Sequence, residues 1–375
     1  MFSVFYIVVT MAFIIQSIPP LIPSMMKDFG ISHAQAGLLM SILFVPGVLV
    51  SIPAGMFIDY YGARRVGVLS TSMMALGSFV VAISDSYQMA LGGRIIFGVG
   101  VMIMIALLPS IISQWFSLKE LGRAMGVYGI NLPFATLLAF PVVSVLMLGF
   151  GWRSPLYLDA ALAILSLVVF VSLVKEGPLK LACEKAMKTS QAVRNLEIWK
   201  AGGIYGFSFA TIFAFTTWFP TLFERFRGTD PIYANLLATV VMLAGILSVP
   251  IYGCILQRIR YRRIILIANF ASLALILGVM PYLPDQAVIL AVAVMGVSAF
   301  MIVPTVMMLP PQILGQSASG TGYGILTACL SLAVATAPPF IGFIIDLTGM
   351  LTVSFIGMAL FPTAGAITAY TLKMG

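Results

Sequence analysis

Arg94 is the residue whose type and position point most directly to chemistry. It lies in an apolar run that begins near Tyr87, which places it about 10 Å along a helix that rises about 1.5 Å per residue. In a bilayer, a charge at that depth is costly unless it faces a partner or water. Its planar fork of donors matches a carboxylate or a similar oxyanion. Arg94 therefore either binds an anionic substrate or modulates a proton-coupling acid, and the alternative is a structural arginine satisfied by backbone carbonyls.

A second group of chemically distinctive residues ends the preceding apolar run, in Gly55-Met-Phe-Ile-Asp59-Tyr-Tyr-Gly62-Ala-Arg64-Arg65. Gly55 allows two helices to approach closely. Asp59 is an anion at a helix end, where it can pair with a cation or with a helix N-terminus. Gly62 allows a tight turn. Arg64 and Arg65 anchor the loop on the cytoplasmic side of a membrane.

The residues that many enzymes need are scarce in this chain. The three cysteines are far apart and His33 is the only histidine, so zinc chemistry and a Ser-His-Asp triad are not expected. A phosphate-binding Gly-x-x-x-x-Gly-Lys-Ser/Thr loop is missing, which disfavours an ATP-driven pump. We therefore predict neither an enzyme nor a cofactor. Among the acids, Asp159 is expected to pair with Arg153 or to lie at the membrane interface.

The composition predicts the elements that must position these residues. Hydrophobic types make up 61% of the 375 residues and charged types 9%, so most outward-facing side chains must meet lipid. Apolar runs of roughly 20 residues favour helices over barrel strands. The first run lacks a basic region before it and is interpreted as a span, not as a cleaved signal. Twelve spans are predicted, near 2–24, 34–58, 65–84, 88–114, 123–148, 155–174, 199–223, 232–256, 263–283, 287–309, 318–345 and 351–371.

The basic residues predict the orientation of these spans. With the N-terminus inside, 15 of the 20 Lys and Arg residues lie on the inner side, four lie on the outer side, and Arg94 lies within a span. Both termini are therefore expected in the cytoplasm, in a cell (inner) membrane. The net charge of +8 then suits anionic headgroups, and nucleic acid is not an expected partner.

The chain also contains an internal repeat. At an offset of 198 positions, residues 36–65 have eight identities with residues 234–263, including Gly55 on Gly253 and the Arg64-Arg65 pair on Arg262-Arg263. Paired glycines and a matched Arg-Arg favour a duplicated six-helix unit over chance. Parallel repeats of this kind are typical of transporters, with the solute site between the halves. Two positions break the repeat, because Arg94 falls on Val292 and Asp59 falls on Gln257.

These residues resemble a known family. The run from Gly55 to Arg65 is similar to the signature loop between helices two and three of the major facilitator superfamily. The stretches Leu91-Gly-Gly-Arg94-Ile-Ile-Phe-Gly98-Val-Gly100 and Glu120-Leu-Gly122-Arg123-Ala-Met-Gly126 look like its fourth helix and its loop between helices four and five. The span count, the polar central loop and the repeat extend the resemblance over the whole chain.

The resemblance implies an all-α membrane fold of twelve helices in two pseudo-symmetric six-helix bundles, here residues 1–174 and 199–375, joined by a cytoplasmic loop at 175–198. It implies that Asp59 and the nearby arginines latch the outward-open state, with Arg123 as the partner of Asp59; anchoring of the topology alone is the alternative. The path-lining residues that it suggests besides Arg94 are Gln16, Asn131, Tyr205, Phe213 and Tyr323, each of which is equally explained by ordinary helix packing.

The function predicted is secondary active transport of a small organic or inorganic anion by alternating access. No carboxylate stands in the middle of the predicted first, fourth, seventh or tenth span, which favours an anion or neutral solute over a cationic drug. Export of a hydrophobic compound is one alternative, and a non-transporting receptor or scaffold on the same fold is another. The expected partners are a small-molecule substrate, the lipid bilayer and a coupling ion, and the chain is expected to be a monomer.

Overall fold

The computed structural model describes residues 2–31, 35, 38–39, 41–174, 189–228, 231–256, 261–315 and 318–373. His33 and most of the predicted central loop lie outside these ranges. The helices within them are α1 (Phe2–Phe29), α2 (Val45–Tyr61), α3 (Ala63–Ala82), α4 (Tyr87–Trp115), α5 (Leu118–Gly129), α6 (Asn131–Phe150), α7 (Ser154–Leu173), α8 (Thr189–Arg194), α9 (Leu196–Arg227), α10 (Pro231–Ile255), α11 (Arg262–Val279), α12 (Asp285–Met307), α13 (Leu309–Leu314), α14 (Ser319–Thr348) and α15 (Leu351–Thr371).

These helices confirm the predicted all-α membrane fold and account for each of the twelve predicted spans. Nine helices in the described ranges are long and apolar enough to cross a bilayer. Two of the predicted spans are interrupted. Within the second span, the described residues 35, 38–39 and 41 are helical, residues 42–44 form a turn, and the regular helix resumes at Val45, because Pro46 cannot donate a backbone hydrogen bond to the turn before it. The fifth span divides at Ile130 into α5 and α6, since Pro133 cannot donate to the carbonyl of Gly129.

The chain forms two compact units. The first contains residues Met1–Ser117, Asn131–Val193 and Leu314–Ala328; the second contains Leu118–Ile130, Arg194–Ile313 and Cys329–Gly375. The sequence predicted one boundary, in the loop at 175–198. The compact units add that α5 belongs with the second unit and that the first turns of α14 belong with the first.

Close approach of α3 and α4 organises the first unit. A side-chain carbon at Gly77 of α3 would lie 2.7 Å from the carbonyl oxygen of Gly93 on α4, so only hydrogen fits there. Ser70 strengthens this contact by donating a hydrogen bond of 2.7 Å to the carbonyl of Gly100. Small residues at a helix interface are the usual means by which membrane helices pack, because lipid supplies no hydrophobic force between them. The contact fixes α4, which carries Arg94.

A row of aromatic rings organises the second unit. Phe215, Phe219 and Phe223 follow one another on α9 at helical spacing, with ring centroids 4.5 Å and 4.2 Å apart. Phe355 of α15 packs against Phe219 at 6.4 Å with its ring nearly perpendicular. Such tilted and edge-on pairs are favourable geometries for aromatic rings. The row is buried and holds α9 against α15.

A polar clasp closes the second unit at the start of α9. Lys200 donates a hydrogen bond of 2.8 Å to Glu197 and another of 2.9 Å to the carbonyl of Thr371, and the backbone N–H of Lys373 donates to Glu197 at 2.7 Å. Partial burial raises the pKa of Glu197, but the hydrogen bonds and charges of Lys200 and Lys373 outweigh it and hold that pKa below its ordinary value. The clasp ties the C-terminal segment to the first turn of α9.

Candidate functional site

Two charged side chains and a serine meet inside the first unit. Arg94 on α4 is 1% exposed, and its Nε donates a hydrogen bond of 3.3 Å to the carbonyl of Leu39. Asp159 on α7 is 2% exposed and accepts a short hydrogen bond from the hydroxyl of Ser17 on α1. Three helices thus bring a cation, an anion and a hydroxyl into the interior, where each charge needs the other nearby to be tolerated.

Arg94 and Asp159 line one small cavity without forming a direct salt bridge. Its volume is about 10 Å³, at the lower limit for a single water molecule. Arg94 Nη2 and Asp159 Oδ1 are both buried without a hydrogen-bond partner. A donor and an acceptor that line the same small cavity are suited to a bridging water. In this conformation the cavity is far too small for a solute.

The position of Asp159 corrects the expectation from the sequence. Arg153, its expected partner, pairs instead with Asp28, with the charged atoms 2.9 Å apart. The sequence does contain a signal that predicts the proximity of Asp159 to Arg94. Arg94 comes seven residues after the start of α4 and Asp159 five residues after the start of α7, and both helices begin on the same side of the predicted topology. Matching depths would have placed the two charges at one level in the membrane.

The other predicted path residues are distributed over both units. In the first unit, Gln16 donates a hydrogen bond of 2.9 Å to the hydroxyl of Thr136, and Tyr323 is buried on α14. Asn131, also in the first unit, is half-buried at the start of α6.

In the second unit, the path residues belong to an aromatic stripe. Tyr205 packs against Phe209 with ring centroids 4.9 Å apart, and Phe209 stacks on Phe213 at 6.2 Å.

Ser17 of the first unit, which donates a hydrogen bond to Asp159, was not among the residues predicted from the sequence. The roles assigned to the path residues stay predictions.

Asp59, the predicted gate residue, binds the start of α14. Its Oδ1 accepts a hydrogen bond of 2.9 Å from the N–H of Gly320, and its Oδ2 accepts bonds from the N–H of Thr321 at 2.7 Å and from the Thr321 hydroxyl at 2.5 Å. The first N–H groups of a helix have no partner within the helix and carry a partial positive charge. The carboxylate therefore supplies a capping acceptor for α14 from a helix 261 positions earlier in the chain.

Glycines on both helices make this contact possible. Ser51, Gly55 and Asp59 are spaced by four and share one face of α2. A side-chain carbon at Gly55 would lie 2.9 Å from the Cα of Thr321, and one at Gly324 would lie 3.2 Å from the Cα of Gly55. Gly320 and Gly324, also spaced by four, form the facing surface of α14. Two small-residue faces thus let the backbones touch, which brings Asp59 within reach of the helix N-terminus.

The second unit contains the counterpart of this packing. On α10, a side-chain carbon at Gly253 would lie 2.9 Å from the carbonyl oxygen of Gly122 and 2.9 Å from the Cα of Gly126, both on α5. At the offset of 198, Gly55 corresponds to Gly253, and Gly122 and Gly126 correspond to Gly320 and Gly324. The repeat is therefore present in the helix contacts as well as in the sequence. The equivalent of Asp59 is Gln257, outside the described residues.

The remaining gate residues surround the turn between α2 and α3. Gly62 has a φ of 87°, a conformation that favours glycine, so the tight turn predicted there is present. Arg64 donates a hydrogen bond of 3.2 Å to the carbonyl of Val171. Arg65 is exposed beside it, and Arg123 is exposed on α5. The pairing of Asp59 with Arg123 and the latch role of these residues stay predictions.

Replacing Gly55 with alanine tests the close contact of α2 and α14. The added methyl group would overlap the carbonyl oxygen of Gly320, which is backbone and cannot rotate away, so we expect a loss of stability of about 1–3 kcal/mol from overpacking. Thermal unfolding of the detergent-purified protein measures the change. Gly92→Ala is the matched control, because nothing lies within 4 Å of a side-chain carbon there. Equal stability of the two variants would contradict the contact.

Fold and site together define a polytopic helical membrane protein with charges buried inside a helix bundle, the class to which membrane transporters belong. A family profile described as the Major Facilitator Superfamily matches residues 4–338 and 227–373. The chain belongs to this superfamily.

Individual relatives are distant in sequence but similar over nearly the whole chain. The hexuronate transporter of Bacillus subtilis is 21% identical over 92% of this chain and 88% of its own length. The probable sulfoacetate transporter SauU of Cupriavidus necator is 21% identical over 92% of this chain and 87% of its own. The crystal structure of the human organic anion transporter MFSD10 (TETRAN) superposes with a TM-score of 0.83, at 16% identity and 98% coverage of both chains.

Proposed function

We propose that this chain is a secondary active transporter of a small organic or inorganic anion, working by alternating access. The observation that carries the proposal is Arg94, a cation buried in a membrane-spanning helix with one guanidinium nitrogen left without a partner. Such a nitrogen retains hydrogen-bonding capacity for a further acceptor. A charge kept in this position at a cost of several kcal/mol is by default functional.

Relatives with anionic substrates support the same class. A hexuronate carries a carboxylate, and sulfoacetate carries a carboxylate and a sulfonate; these are the compounds named for two relatives that align with 92% of the chain. Planar or tetrahedral oxyanions are the groups that a guanidinium binds in a bidentate manner. The chemistry of Arg94 and that of the named substrates therefore agree.

Asp159 takes part in the proposed binding step as the group that the anion replaces at Arg94. In this conformation, Asp159 is the nearby anion that compensates Arg94, and the cavity of about 10 Å³ excludes a solute. In the conformation that binds substrate, α1, α4 and α7 separate enough for the solute to reach Arg94. The anion then takes over the guanidinium from Asp159, and Ser17 remains as the hydrogen-bond donor that holds the acid.

Asp59 supplies the conformational control. Its three hydrogen bonds to the start of α14 hold one transport state, and they must break when α2 and α14 part. With the α2–α3 turn and both termini in the cytoplasm of an inner-membrane protein, the contact closes the cytoplasmic side. The positive-inside distribution of Lys and Arg supports this orientation.

Uptake into proteoliposomes tests the proposal. The purified protein is expected to accumulate a small carboxylate or an inorganic anion from a panel at varied pH. Arg94→Lys keeps the charge but loses the fork, so we expect roughly tenfold weaker competition by carboxylates, the loss of one charge-assisted contact. In the Arg94→Ala variant, carboxylates are expected not to compete for uptake at all. Arg153→Gln, which alters a half-buried arginine that pairs with Asp28 at a helix end, is the control and should transport normally.

The outcomes of these uptake experiments distinguish between the alternative functions that the sequence left open. Full anion uptake by Arg94→Ala would overturn the role of Arg94. Transport of hydrophobic compounds without anion competition would favour an exporter, for which the aromatic stripe of Tyr205, Phe209 and Phe213 is the supporting observation. Failure of every solute to move, in correctly folded protein, would favour a receptor or scaffold.

A further inference from the structure

An apolar groove on the surface of the first unit is separate from the buried charges of the transport site. Side chains of α2, α3 and α4 line it, and its volume is about 610 Å³, within the range of pockets that hold organic ligands. On α2, Leu49 is 77% exposed and Phe57 is 52% exposed. Ile103 forms part of its floor on α4. The groove is therefore accessible from the side of the helix bundle, where lipid lies.

The groove has the length of one lipid leaflet. Along α2 it extends from Tyr61 to Leu49, 12 residues, which is about 18 Å at 1.5 Å per residue. Along α3 it extends from Arg65 to Met73, or about 12 Å. Half of a hydrocarbon core of about 30 Å is about 15 Å. The groove thus runs from the α2–α3 turn to the middle of the membrane, as an acyl chain of that leaflet does.

A cation stands at the end of the groove nearest the turn. Arg65 lines the groove, is exposed, and makes no hydrogen bond or ion pair with the described part of the chain. Its neighbour Arg64 points elsewhere, since it donates to the carbonyl of Val171 and does not line the groove. A guanidinium at headgroup depth is a good partner for a phosphate, which it can bind with two parallel hydrogen bonds.

We propose that this groove binds one glycerophospholipid with an anionic headgroup, its acyl chain along the apolar wall and its phosphate on Arg65. The apolar length and the single cation at one end fit the two parts of such a molecule. A zwitterionic lipid presents its own ammonium beside the phosphate, so it gains less from Arg65. The bound lipid packs against α2, the helix that carries Asp59, and so stabilises α2 in the position that contacts α14.

Native mass spectrometry of the purified protein tests the proposal. Dioleoyl phosphatidylglycerol is compared with dioleoyl phosphatidylcholine, which has the same chains, and with inorganic phosphate. The wild type is expected to retain one phosphatidylglycerol in preference to phosphatidylcholine. Arg65→Gln is expected to lower that preference about tenfold, the loss of one charge-assisted contact. Arg64→Gln is the matched control and should keep it, because Arg64 lies outside the groove.

A second variant separates the chain from the headgroup. Val99→Phe fills the apolar floor and is expected to reduce retention of both lipids, with thermal unfolding used to confirm that the variant is folded. Equal retention of both lipids by the wild type overturns the proposal. Equal losses in Arg64→Gln and Arg65→Gln also overturn it, since they indicate general surface charge. Displacement of phosphatidylglycerol by inorganic phosphate alone indicates a phosphate site without a lipid and overturns it as well.

Discussion

Replacing Asp59 with asparagine is expected to slow transport roughly tenfold to hundredfold while leaving insertion in the membrane intact. The carboxylate accepts three hydrogen bonds at the start of α14, two of them from backbone N–H groups at 2.9 Å and 2.7 Å. An asparagine presents a donor in place of one acceptor and carries no charge for the helix dipole. Hydrogen bonds to charged groups contribute about 1.5–3 kcal/mol each, and every 1.4 kcal/mol changes an equilibrium about tenfold.

This loss acts on the equilibrium between transport states. A state that is ten to a hundred times less populated must be regained in every cycle, so its recovery limits the rate. Uptake per amount of membrane-inserted protein is the measurement. Asp85→Asn is the control, because Asp85 is also acidic but exposed between α3 and α4. Unchanged transport by Asp59→Asn would show that the contact caps α14 without controlling transport.

The helices were predictable because hydrocarbon leaves few options for the backbone. Runs of roughly 20 apolar residues indicate membrane-spanning helices, and each predicted span has its helix in the structure. What hydropathy could not give was the interruption of a span. Pro46 and Pro133 end regular hydrogen bonding without changing the apolar character of the chain, so the second span is interrupted at residues 42–44 and the fifth at Ile130.

The candidate site was only partly predictable, since the depth of a residue in the membrane and the direction of its side chain depend on how the helices pack. The repeat revealed Gly55 and Gly253, but their partners were missed, although Gly122 and Gly320 are related by the same offset of 198. Asp59 was expected to pair with a cation or with a helix N-terminus. Its partners include the N–H groups at the start of α14, but no sequence motif identified which helix that would be. Asp159 was placed at the interface because its distance into the span was considered apart from that of Arg94.

Replacing Asp159 with asparagine is expected to destabilise the protein by about 3 kcal/mol or more, because Arg94 is then buried without a compensating anion. Arg94→Gln leaves Asp159 uncompensated and has a similar cost. The double variant removes both charges, so it should be more stable than the sum of the single changes predicts, by roughly 1–3 kcal/mol. Thermal unfolding of the four proteins in detergent measures this coupling.

The partly exposed pair of Asp28 and Arg153 provides the matched double-variant cycle. Its side chains are 41% and 33% exposed, so their coupling is expected to be about 1 kcal/mol or less, as for ion pairs near water. Additive effects of Asp159→Asn and Arg94→Gln would show that the two buried charges do not depend on each other. Restored stability without restored transport in the double variant would separate the two roles of Arg94. The stability of the helix bundle requires only that the buried charges of Arg94 and Asp159 cancel, whereas binding of the substrate anion requires the guanidinium itself.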